Sequence, residues 1–136
     1  MGIIFDTSIW IGLTEEEISE EVASGAAGEQ QVFISVISLG ELNFGVESVS
    51  DMAIRMHRRR ALNTFEEMPV LDVTAQTANA FGMLAAFMKQ SGRTPRTRVN
   101  DLWIAAQAIE NDFALLTTNI KDFEGLPGLR VVGLVS

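Results

Sequence analysis

Short runs of β-branched and aromatic residues alternate along this chain with longer stretches whose apolar positions recur every three or four residues. Residues 3–5 (Ile3-Ile4-Phe5), 32–34, 70–71, 114–116 and 130–132 read as short buried strands. Between them, residues 37–49 carry Ile37, Leu42, Phe44 and Val49 among glycines and acids, and residues 51–68 are basic in the middle. Residues 75–89 set Ala75, Ala78, Phe81, Gly82, Ala85 and Met88 at helical spacing, and Gly92 suits the end of that helix. Residues 99–111 place Leu102, Ala105, Ala106 and Ile109 on one face. Segment 91–100, with Pro95 and three arginines, reads as a long loop. Strands alternating with helices predict an α/β domain built on a mainly parallel sheet. With no repeat, low-complexity tract or linker in the pattern, residues 1–136 are expected to form one domain.

The opening residues 1–6 meet Asp6 before any long apolar run, and no apolar run approaches the roughly 20 residues that span a bilayer. A cytoplasmic location is the expectation. The 136 residues are 47% hydrophobic, too apolar for a disordered acidic tail. There is no Cys, which excludes a disulfide scaffold, thiolate catalysis and Cys-ligated zinc. A single His excludes a two-histidine acid–base mechanism within one chain. The formal net charge of -8 argues against capture of nucleic acid by bulk charge.

Several familiar chemistries are missing. The glycines form no G-x-G-x-x-G. Gly40 and Gly45 have the spacing of phosphate-loop glycines, but Val46 and Glu47 follow instead of Lys and Ser/Thr. No G-x-S-x-G elbow is present. The lone His57 stands beside Arg58-Arg59-Arg60, and a solvated place on a basic helix face suits it best. Carboxylates are the remaining chemical currency.

Four acids stand out, each with an ordinary structural explanation. Asp6, after the first strand, can cap the next helix. Ser38-Leu39-Gly40-Glu41 reads as a capping box. Asp101 lies in the first turn of its helix, where a carboxylate suits the helix dipole. Asp122 follows Asn119-Ile120-Lys121 in the turn after the fourth strand. Their joint placement says more. Residues just after parallel strands, and helix starts leading back into them, share the C-terminal edge of the sheet, where open α/β sheets bind ligands. Carboxylates about 4–5 Å apart repel by roughly 1 to 4 kcal/mol per pair, depending on screening. An oxygen-loving divalent cation relieves that repulsion, and carboxylates plus water suit Mg²⁺ or Mn²⁺.

With these acids located, four segments identify a resemblance: Phe5-Asp6-Thr7-Ser8, Ser38-Leu39-Gly40-Glu41-Leu42, residues 100–108 (NDLWIAAQA) and residues 116–123 (LTTNIKDF). Occurring in this order, and followed by Gly125-Leu126-Pro127-Gly128-Leu129, they resemble the PIN-domain ribonucleases, specifically the VapC-like toxins of bacterial type II toxin–antitoxin pairs. The resemblance runs nearly end to end. It implies a five-stranded parallel sheet with the first strand central, flanked by helices, and Mg²⁺- or Mn²⁺-dependent endonucleolytic cleavage of RNA. Asp6, Glu41 and Asp101 match the three core acids. Asp122 is taken as the fourth, with Asn119, where many relatives carry an acid, as a polar auxiliary. Thr117 matches a hydroxyl beside the metal site, Ser8 is a similar auxiliary, and Trp103 and Phe123 are expected in the core.

The mechanism this implies has Asp6 and Asp101 binding the principal ion with help from Asp122. Glu41 holds the attacking water or ligates a second ion. Of two basic clusters, the one at Arg55, Arg58, Arg59 and Arg60 lies far in sequence from any acid of the set. The other, Lys89, Arg93, Arg96 and Arg98, ends just before Asp101, so Arg93, Arg96 and Arg98 are the candidate RNA contacts. The resemblance also implies a homodimer and a cognate VapB-like antitoxin that brings a basic side chain to the acidic site. Two rival readings keep the sheet but not the chemistry. One is an inactive PIN-fold binding module. The other is a receiver-like phosphoacceptor using Asp72 and Thr117, although Asp72 is also expected to cap the helix starting near Thr74.

Overall fold

A computed structural model of the chain describes residues 1–134 and all of their side chains but that of Thr97. Five strands, β1 (Gly2–Phe5), β2 (Gln31–Ser35), β3 (Val70–Leu71), β4 (Ala114–Thr117) and β5 (Arg130–Gly133), form one sheet in the order β3-β2-β1-β4-β5. Every neighbouring pair is parallel. The first strand is therefore central, and the chain turns from one half of the sheet to the other beside it. A crevice opens at such a point, beyond the carboxyl ends of the strands.

Among the described residues, seven helices cover the sheet: α1 (Thr7–Thr14), α2 (Glu20–Ala27), α3 (Val36–Glu47), α4 (Met52–Phe65), α5 (Ala75–Gln90), α6 (Val99–Asn111) and α7 (Ile120–Phe123). A 3₁₀ turn, Pro95–Arg98, leads straight into α6. Alternation along β1 splits the core. Ile4 joins Leu115, Leu84, Leu102 and Ile104 in one layer, whereas Ile3 and Phe5 join Ile9, Trp10, Ala23 and Leu116 in the other. The β1 strand is buried along its whole length. A sheet covered on both faces needs continuous apolar strands, which is what residues 3–5 and 114–116 supply.

The helix over 99–111 has the bounds its apolar spacing predicts, and all five expected strand runs lie inside observed strands. Elsewhere the structure departs from the pattern. Helix α3 begins earlier than expected because Ser35, the last residue of β2, caps it by accepting the Ile37 N–H at 3.0 Å. The expected capping box at Ser38 and Glu41 therefore does not exist. Ser38 is fully buried in the first turn, and Glu41 projects from the second turn rather than following the strand directly. Asp72 is not a cap either. Thr74 and Thr77 exchange side-chain and backbone bonds in a capping box that starts α5. Segment 91–100 contains the 3₁₀ turn, and α2, capped by Ser19, is a short helix that the apolar spacing did not predict.

The arginines of α4 have internal work. Arg55 donates to the carbonyls of Val46 and Glu47, and Arg58 to that of Gly45, closing the free carbonyls at the C-terminus of α3. Arg59 donates to Asn43 Oδ1 and Glu47 on the same helix. His57 is exposed, as its neighbours suggest, yet its Nε2–H donates to the Thr14 carbonyl at 2.7 Å and ties α4 to α1. Among the described residues, no helix is long and apolar enough to cross a membrane.

Candidate active site

The end of β1 fixes the first acid. Asp6 donates its N–H to the Leu116 carbonyl at 2.8 Å, which extends the β1–β4 ladder by one bond. It occupies the N-cap position of α1, but its carboxylate makes no capping bond. Instead Asp6 Oδ2 accepts from Thr117 Oγ1 at 2.8 Å and from Ser8 Oγ at 2.9 Å. Those hydroxyls are themselves held. Ser8 Oγ accepts the Thr118 N–H, and Thr117 Oγ1 accepts the Asn119 N–H. Asp6 is only 3% exposed. Burial pushes its carboxyl above the ordinary range. The hydrogen bonds from Thr117, Ser8 and the Thr7 N–H pull it back, and the charge of Glu41 raises it.

Glu41 reaches the same edge from α3. Thr7 Oγ1 donates to its Oε1 at 2.7 Å, and Asn100 Nδ2 donates to its Oε2 at 3.4 Å. Asp101 arrives from the first turn of α6 and Asp122 from α7. Arg98 lies between these two, with Nη2 at 3.0 Å from Asp122 Oδ1 and Nη1 at 4.0 Å from Asp101 Oδ2. Asp101 is pushed up to about 6, first by burial, then by the charges of Asp6 and Asp122; Arg98 lowers it and Glu41 raises it. The other three predicted acids thus all act on the Asp101 carboxyl. An open cleft of about 350 Å³ in front of them is lined by Glu41, Arg96, Arg98, Val99, Asn100 and Asp101.

Among the described residues, no three side chains of the His, Cys, Asp and Glu types converge into a ready-made ligand cluster. Mg²⁺ does not require one, since it keeps several waters and takes one or two carboxylates. The donor set contains only oxygen, and the crowded acids around Asp101 are only partly offset by Arg98, which fits Mg²⁺ or Mn²⁺ and not a soft metal.

The structure brings Asp6, Glu41, Asp101, Asp122, Ser8 and Thr117 to this edge. Asn119 contributes its backbone N–H, while its side chain is exposed. Arg96 and Arg98 line the cleft; Arg93 does not, and its N–H instead closes the end of α5 on the Met88 carbonyl. Trp103 stacks on Phe81 with ring centroids 4.0 Å apart, and Phe123 is buried in the core. Sequence reasoning missed Thr7, Ser38 and Asn100. Their only signal was adjacency, since Thr7 follows Asp6, Asn100 precedes Asp101, and Ser38 lies one helical turn before Glu41.

The sequence and the fold both match known proteins. The PIN domain family model matches residues 3–129. Ribonuclease VapC of Rickettsia bellii is 35% identical over 138 aligned positions, covering 97% of this chain and 96% of its own length. Ribonuclease VapC5 of Mycobacterium tuberculosis is 31% identical, covering 97% and 93%. Among solved structures, VapBC2 from Rickettsia felis bound to a promoter DNA fragment superposes with a TM-score of 0.83 at 26% identity, covering 98% of both chains. VapBC-5 from Mycobacterium tuberculosis, a member of a family of toxin–antitoxin systems, gives 0.81 at 25% identity and covers 98% of this chain and all of its counterpart. The receiver-like alternative does not survive the match, and its proposed Asp72 is exposed on another segment. From the first strand to the last turn before β5, the chain belongs to the PIN-domain family, among its VapC-like members.

Proposed function

We propose that this chain is the toxin of a VapBC-type pair, an endoribonuclease that hydrolyses RNA with Mg²⁺ or Mn²⁺ at Asp6, Glu41, Asp101 and Asp122. The observation that carries the reading is Asp101, whose carboxyl three other acids and burial push up to about 6 at the switch point of the sheet. Asp6 and Asp101 would hold the ion, with Asp122 completing the set once Arg98 turns away. Such an ion lowers the pKa of bound water and offsets charge developing on the phosphate. Glu41, facing the cleft, orients the attacking water and accepts its proton. Arg96 and Arg98, which line the cleft, would meet the phosphates.

A second cleft runs from Glu41 along α1 and α3, lined by Ile11, Val36, Ile37 and Phe44. Phe44 is 73% exposed there. An apolar groove ending at an acidic site suits an antitoxin segment with apolar anchors and a basic side chain at its tip. Two copies of the chain are expected to pair, which sedimentation of the free chain at twice the monomer mass would show. The direct test of function is cleavage of RNA by the purified chain. Activity should require Mg²⁺ or Mn²⁺, stop with EDTA, and vanish in Asp6→Asn and Asp101→Asn. Cleavage that persists in EDTA or in both variants contradicts the reading.

A further inference from the structure

Glu41 is the one acid of the four that stands in the middle of a helix, with no strand end to fix it. Its position comes instead from a line of polar groups crossing three elements. Thr7 Oγ1 lies 2.7 Å from both Glu41 Oε1 and Ser38 Oγ. A carboxylate only accepts, so the single Thr7 proton goes to Glu41, and Ser38 must donate to Thr7. Ser38 is fully buried and Thr7 is 8% exposed, so neither hydroxyl has ready access to water as a substitute partner. On the far side, Asn100 Nδ2 reaches the other Glu41 oxygen at a longer 3.4 Å.

We infer that Thr7 and Asn100, the chain neighbours of Asp6 and Asp101, are positioning residues that clamp the two oxygens of Glu41 and aim it into the cleft. The inference deepens the ribonuclease reading and rests on it. The clamp has a structural logic. Any shift of β1 or α6 that moves Asp6 or Asp101 also moves the group holding Glu41. The three acids are thereby kept in register although they come from distant parts of the chain. Thr7 does most of this, because its bond is short and more sheltered than that of Asn100, while Asn100 limits rotation about the last torsion of Glu41.

The test compares Thr7→Val, which keeps shape and loses the hydroxyl, with Thr7→Ser, which keeps the hydroxyl. Asn100→Ala is the third variant. Each is measured for RNA cleavage, for Mn²⁺ affinity by titration calorimetry and for thermal midpoint. Partners that orient ligating groups are commonly worth about 10–100-fold. On that scale Thr7→Val should lose 10-fold or more in kcat or in Mn²⁺ affinity, with KM for RNA unchanged. Thr7→Ser should recover most of the loss, and Asn100→Ala should lose less than Thr7→Val. Wild-type kcat together with wild-type Mn²⁺ affinity in Thr7→Val overturns the clamp. So does a Ser variant as impaired as the Val variant. If the wild type cleaves no RNA, the ribonuclease reading fails by itself. The Mn²⁺ titrations then judge the clamp alone: weaker binding in Val, restored in Ser, supports it, and equal binding overturns it.

Discussion

Asp101 holds its proton to about pH 6, whereas an ordinary aspartate loses it near 3.8. The folded chain therefore binds more protons than the unfolded chain between those values. Stability must then fall as pH rises across that window. The favourable protonated state is fully present below the unfolded value and is lost as pH passes the folded one. In EDTA, the difference in thermal midpoint between Asp101→Asn and wild type should widen in favour of the variant from pH 4 to 7. A constant difference would contradict the assignment. A cation binding here displaces that proton, so its affinity should climb with pH through about 6. Legibility at this scale followed chemistry more than partners. The acid at position 101 was visible because helix starts favour carboxylates, and that same preference offered an innocent explanation for it. Thr7 was invisible, since a hydroxyl after Asp6 can face any of several directions and only folding aims it at Glu41.

Among the elements, strands 3–5 and 114–116 were legible because a sheet covered on both faces demands unbroken apolar runs. The start of α3 was misread because two serines, Ser35 and Ser38, compete for the same cap, and only the end of β2 decides between them. The basic stretch of α4 had no assigned role in the sequence reading. Arg55 and Arg58 close α3, the helix that carries Glu41. Central β1 depends on one small residue. A Cβ at Gly2 would sit 2.7 Å from the Phe113 ring and 2.8 Å from that of Phe33, and those rings are stacked on each other. Gly2→Ala should therefore destabilise the fold by about 1–2 kcal/mol, less than full overpacking because Ala is otherwise better than Gly in a strand. Urea denaturation measures this directly, and a midpoint at or above wild type would refute it.

For the whole molecule, the net charge of -8 and the acidic edge set how RNA can approach. Even two bound divalent ions would leave the protein negative, so broad electrostatic capture is excluded and contact must be local. On the proposed reading Arg96 and Arg98, which line the cleft, would supply it, and Arg98 has a second engagement with Asp122 at 3.0 Å. Two such phosphate contacts give a slope of log affinity against log salt of roughly -1.4 for single-stranded RNA. Arg98→Gln should reduce that slope by about half and weaken RNA binding. The same variant should bind Mn²⁺ more tightly, because the guanidinium no longer occupies oxygens of Asp122 and Asp101. An unchanged salt slope would remove Arg98 from the RNA path. On the proposed mechanism the four carboxylates would direct water, not the ribose hydroxyl, onto the phosphate, and the chemistry of the product ends decides this. RNA cut in Mg²⁺ or Mn²⁺ should carry 5′-phosphate and 3′-hydroxyl termini, and 2′,3′-cyclic phosphate termini would contradict the mechanism.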